Sequence, residues 1–190
     1  MSKEILTTQL CFGLHKDKLT PAEVGILYAD ILNNYINSHV QVVGAYVGTI
    51  PPAIPEFGVG NFAVISTISP WEWPEDGLFS TWITNLSAEL KTKIMISPIS
   101  VNSPIVITAP SQCFTNAEVI LTPEMIAEGY KKNVTPGGEL LTSGEQIQYD
   151  CQFIIASAII DALMIGFTIV PYSSTMVGSG LTTLIGTLVL

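Results

Sequence analysis

Apolar positions recur along this chain at several spacings, and each predicts a different element. Residues 20–38 show the clearest helical pattern. Thr20 suits an N-cap, Pro21 the first helical position and Glu23 the closing residue of a capping box. Val24, Leu27, Tyr28, Ile31 and Tyr35 follow at helical spacing, Leu32 widens the stripe, and Asn37-Ser38 predicts the end. A second helix is predicted over about 77–94, with Leu78, Trp82, Leu86, Leu90 and Ile94 on one side. Phe79 and Ile83 lie beside them, and Glu89, Lys91 and Lys93 form a solvated face. Thr122-Pro123-Glu124 starts a short third helix to about Tyr130, with Lys131-Lys132 where positive charge complements the helix dipole.

Strand-like runs fall at Ile5–Phe12, Val40–Ile50, Asn61–Ser69, Ile94–Val101, Ile105–Ala109 and Glu118–Leu121. Pro51, Pro52 and Pro55 predict an extended connector through Gly60. Ser69-Pro70-Trp71-Glu72 repeats the capping-box logic, but Pro74 interrupts it one turn later. Residues 146–166 carry two signals. Ile147, Tyr149, Cys151 and Phe153 alternate with polar residues, which is the period of a half-buried strand, while Ser143 with Gln146 makes another capping box. The alternation favours a strand to about Ile154, followed by a short buried helix over 156–165.

From Phe153 to Pro171 the one ionisable residue is Asp161, and beyond Ser174 the chain is apolar again to Leu190. A membrane hairpin over 153–190 is one reading, since a span needs about 20 apolar residues. Against it stand Asp161 near mid-span and the missing Lys or Arg flanks. The favoured reading makes the tract part of the core and an interface between copies, with Thr168–Val170 and Leu184–Leu190 as strands and Gly178, Gly180 and Gly186 at bends. The expected fold is a single α+β domain over 1–190: a mixed α/β sheet with two to three amphipathic helices and a hydrophobic C-terminal element. Residues 133–190, which contain no basic residue, form its apolar part and an oligomerisation element.

Composition shifts attention from chemistry to surfaces. The chain is 48% apolar and 12% charged, about half the usual charge for a soluble domain. All seven basic residues are lysines and the net charge is −9. Without arginine, phosphate capture lacks its best side chain, so nucleic acid and anionic membrane surfaces are disfavoured as direct partners. Cys11, Cys113 and Cys151 show no paired spacing, which reads as synthesis in a reducing cytoplasm, and no secretory signal is evident. The sequons at Asn85 and Asn133 then read as chance.

No motif calls for a catalytic residue, cofactor or metal. Cys11 and His15 are a nucleophile pair only on paper, and His39 stands alone. Gly58-Val59-Gly60 lacks the third glycine of a dinucleotide loop. Glu124 and Glu128 share a helix face, where solvation is the simpler reading. Glu72, Glu75 and Asp76 beside Trp71 and Trp73 allow a small hydrolase or carbohydrate-binding site as a third-ranked function. The expectation that ranks first is a non-enzymatic structural subunit of a large homo-oligomer, most concretely a virion component of a tailed-phage head, neck or tail. Its partners are then copies of itself and other assembly subunits. The interface candidates are Trp71, Trp73, Leu181, Leu184, Ile185, Leu188, Val189 and Leu190.

Overall fold

Ser2 opens the chain's first helix. Its hydroxyl accepts from the Ile5 N–H at 3.3 Å and caps α1, Lys3–Leu14. The computed structural model describes residues 2–14, 19–50, 54–74, 78–96, 99–101, 105–107, 111–167 and 183–189. The strand expected at Ile5–Phe12 is therefore a helix. Leu6 and Leu10, one turn apart, are fully buried. The Thr7 and Thr8 hydroxyls, which favour strands, instead donate to the carbonyls of Lys3 and Glu4 four residues back.

The second helix, α2 at Pro21–His39, forms as expected from its capping box: the Glu23 N–H donates to the Thr20 hydroxyl and the Thr20 N–H to the Glu23 carboxylate. Two strands follow as an antiparallel hairpin, β1 at Gln41–Ile50 and β2 at Ile54–Ser66, in register from Gln41↔Ala63 to Ile50↔Ile54. The expected connector through Gly60 is thus mostly strand. Ladder pairing with β1 engages the backbone from Ile54 onward, and Pro55 lies opposite Thr49 near the hairpin tip. Next come α3 at Phe79–Thr92, β3 at Ile94–Ile96, β4 at Ile99–Val101, β5 at Ile105–Ile107 and β6 at Ser111–Gln112. The helix α4 spans Pro123–Lys131, α5 spans Gly144–Gly166, and β7 covers Thr183–Val189.

Five helices dominate the described residues. The strands form a five-stranded sheet in the order β6-β3-β2-β1-β7 and a separate two-stranded sheet, β4 with β5. Every pairing among the described strands is antiparallel. The run at Glu118–Leu121 forms no strand. It is an extended segment that buries Val119 and Leu121, and the Val119 N–H donates to the buried Ser87 hydroxyl at 2.9 Å.

The largest correction is α5. It is one 23-residue helix where a strand followed by a short helix was expected. Ser143 caps it, accepting from the Gln146 N–H at 3.2 Å. Burial follows the series Ile147, Ile155, Ile159, Leu163, with Ala156 and Ile160 beside it, which is helical spacing. The alternation of Tyr149, Cys151 and Phe153 is incidental. Tyr149 and Phe153 lie one turn apart and stack on each other at 6.4 Å.

One core joins these elements: Leu6 and Leu10 of α1, Leu32 and Ile36 of α2, Leu86 and Leu90 of α3, Ile94 of β3, Phe114, and the buried series of α5. Two glycines let backbones touch within it. A Cβ on Gly25 would overlap the carbonyl of Trp71, and one on Gly166 would overlap the backbone of Ala117.

Burial also sets a pH dependence. Cys113 is fully buried, with its thiol 3.7 Å from the Ile94 carbonyl, and burial raises its pKa from the ordinary 9.0 to about 12. The folded state therefore favours the thiol. This contribution is complete below pH 9 and is lost as the pH rises toward 12, because only the unfolded chain ionises easily there. Stability measured by urea titration should fall above pH 9 with a slope on the order of 1 kcal/mol per pH unit from this group. Cys113→Val should reduce that slope, with the raised thiols of Cys11 and Cys151 leaving a remainder, and an unchanged slope would remove Cys113 as a source.

Candidate interaction surfaces

The Trp71–Pro74 segment is the densest aromatic feature in the sequence. It is held as an extended strap across α2 and α3. The Trp73 N–H donates to the Pro21 carbonyl at 2.9 Å, and the Ser69 N–H to the Glu89 carboxylate at 3.0 Å. No helix starts at Ser69, so the capping-box reading there fails. The strap is pinned by these longer-range bonds, and α3 begins instead at Phe79 without a side-chain cap. Trp73 stacks on Tyr28 at 5.1 Å and lies tilted against Trp82 at 5.2 Å. Both Trp71 and Trp73 are half-buried and pack on the core. Glu72 is exposed, while Glu75 and Asp76 lie outside the described residues.

The other interface candidates concern β7. Leu184, Ile185, Leu188 and Val189 lie on this strand, opposite Tyr46, Ala45, Val42 and Gln41 of β1. Among the described strands β7 ends the sheet order, and its sequence holds no charge and no proline. Edge strands usually carry such features to block pairing with another chain. Leu181 and Leu190 lie outside the described residues, as do Thr168–Val170, Gly178 and Gly180.

The candidates for chemistry are dispersed. Burial raises the pKa of Cys11, and His15 lies outside the described residues. Burial and then the neighbouring Asp150 raise that of Cys151. His39 stacks on Tyr35 at 4.8 Å with its Nδ1 3.1 Å from the Tyr35 carbonyl. Gly58-Val59-Gly60 lies inside β2, paired with Tyr46, Ala45 and Gly44, and is no phosphate loop. Glu124 and Glu128 sit exposed on α4. Hydrogen bonding from its own backbone and then from Thr122 holds the Glu124 carboxyl below the usual range. Among the described residues no three of His, Cys, Asp and Glu gather as a metal-binding group.

The sequon at Asn133 is occupied by internal bonds. Its side-chain amide donates to the Gly129 carbonyl at 3.1 Å and to Asp150 at 2.7 Å, and it accepts from the Thr142 hydroxyl at 3.0 Å. Asn133 is buried, so the folded chain offers no glycan acceptor there.

Sequence reasoning missed the surface around α5. A cavity of about 430 Å³ lies between α1 and the start of α5, lined by Cys11, Phe12, Glu145 and Tyr149 among others. A second, of about 540 Å³, runs between α5, α4 and the 118–120 segment. Ile165 and Phe12 are 81% and 80% exposed, and Ile120 is 72% exposed. A helical reading of 144–166 would have found part of this surface, because Ile165 falls off the buried series. Asp161, the residue that counted against a membrane span, is half-exposed and pairs with Lys3 of α1 at 2.8 Å. No protein-family model matches the chain, and neither a curated protein nor a solved structure matches it.

Proposed function

We propose that the chain is a structural subunit of a homo-oligomeric assembly and carries no catalysis of its own. One observation carries this reading. The most apolar helix, α5, has only 39% of its most apolar 18-residue stretch buried; it leaves Met164 and Ile165 in solvent, and Ile165 lines the same groove as the exposed Ile120. An isolated soluble chain seldom presents apolar surface concentrated in this way, and another protein surface is its usual cover. The low charge of the chain and the uncharged β7 edge support the same reading. On this proposal residues 133–190 act as the oligomerisation element. A virion component is the most concrete version, and it rests on composition. Trp73 stacks between α2 and α3, and Trp71 packs on the core with its carbonyl against Gly25; both support leaving the hydrolase reading aside.

Sedimentation equilibrium of the full chain without detergent should give a mass that is a multiple of 20.4 kDa. A monomer over the whole accessible concentration range would overturn the proposal. The second reading is membrane insertion. It draws on α5 being the one described helix long and apolar enough to cross a bilayer. A chain that aggregates in buffer and becomes monodisperse only in detergent would favour it.

A further inference from the structure

The groove on the outer face of α5 combines features found together in a self-complementary contact. Small side chains of α5, Ser157, Ala158 and Ala162, line part of its cavity of about 540 Å³, beside the larger Phe153 and Ile154. On its margin stands Ile165, a large apolar side chain exposed to 81%. A hole and a protruding knob on one patch suit a two-fold interface, in which the same patch meets itself and each knob enters the opposite hole.

Charge is arranged the same way. Lys132 and Glu118 both line this groove and both are exposed. The third charge there, Asp161, is already neutralised by Lys3 of α1. A two-fold operation can bring Lys132 of each copy to Glu118 of the other. Along the groove, the Ser157 hydroxyl oxygen is buried and has no hydrogen-bond partner among the described residues. A net charge of −9 on each copy opposes association, so local opposite-sign pairing must orient the contact while apolar burial holds it.

We infer that this α5 groove is an isologous docking site for a second copy of the same chain, with Ile165 as the knob and Lys132–Glu118 as reciprocal pairs. The inference rests on the homo-oligomer reading and names the surface that performs it. The test is sedimentation equilibrium of the full chain, without detergent, across a concentration series, with circular dichroism to confirm folding of each variant.

Ile165→Asp should weaken self-association by about a hundredfold, since it puts a charge where an apolar side chain should be desolvated. Lys132→Glu and Glu118→Lys should each weaken it by about tenfold, and combining them should restore most of the loss, because the pairs are re-formed with reversed sign. All three positions are exposed in one copy, so the fold should survive. If the wild-type chain is monomeric throughout, the homo-oligomer reading and this docking site fall together. An oligomeric wild type whose folded Ile165→Asp variant self-associates equally well overturns the groove alone. A double charge swap no better than its single variants overturns the reciprocal pairing. Detergent binding to a monomer through this face would assign the groove to lipid and overturn the inference.

Discussion

Gly25→Ala is expected to destabilise the chain by about 3 kcal/mol or more, although alanine is the better helix former by about 1 kcal/mol in an open helix. The reversal comes from the strap. The added methyl would overlap the Trp71 carbonyl, which is backbone and cannot rotate away. Relief requires lifting the strap, which would break the Trp73–Pro21 bond and part the stacked rings of Trp73 and Tyr28. Urea denaturation followed by tryptophan fluorescence should show a lower midpoint together with an altered Trp73 environment. The neighbouring Ile26 is half-exposed, so Ile26→Ala should move the midpoint far less. Equal effects at the two positions would remove the backbone contact as the cause.

Asn33→Ala should cost about 2–4 kcal/mol, because one side chain on α2 serves three bonds at the end of β2. Its Oδ1 accepts from the Ile68 N–H at 2.8 Å and the Ser66 hydroxyl at 2.7 Å, and its Nδ2 donates to the Ile68 carbonyl at 2.9 Å. The amide thus meets the Ile68 backbone as a neighbouring strand would. One turn on, Asn37 accepts from the Ser66 N–H at 2.7 Å. Ser66 and Ile68 are buried, so the groups freed by the substitution would find no water. Asn33→Asp keeps the two accepted bonds and sets a carboxylate against the Ile68 carbonyl, so its loss should be smaller than that of alanine but clear. Hydrogen exchange at the Ile68 amide provides the local check. Unchanged protection there in Asn33→Ala would show that this amide does not hold the segment.

How much of this was legible depended on whether a signal was local. Thr20, Pro21 and Glu23 specify the start of α2 within four residues, and the structure places the same cap there. Thr122 and Pro123 do so for α4. These are contacts between neighbours in sequence, so reading them needs no knowledge of the fold. The strand at 183–189 was legible for the same reason, as a run of β-branched and apolar residues, although Gly186, expected at a bend, lies inside it opposite Gly44. Residues 5–12 and 146–154 misled because threonine content and a short alternation resemble a strand. The deciding fact was which residues met the core, and that is non-local: Leu6 and Leu10 in one case, Ile147 and Ile155 in the other. The chosen interface residues divide similarly. Trp71 and Trp73 are conspicuous by residue type, and tertiary packing turned them onto α2 and α3.

By itself, then, the sequence determined the caps of α2, α4 and α5, the apolar budget of the chain and the poverty of charge that turns attention to surfaces. Tertiary structure decided which apolar faces are covered. The expectation that the apolar tract after residue 153 forms both core and contact surface can now be divided by residue. Ile155, Ile159 and Leu163 of α5 go inward against the core, while Ile165 is left outside beside a groove. A helix with apolar residues on several faces cannot state which face its neighbours will take. That depends on where α1, α4 and the 118–120 segment pack, and their packing is set by residues far away in sequence.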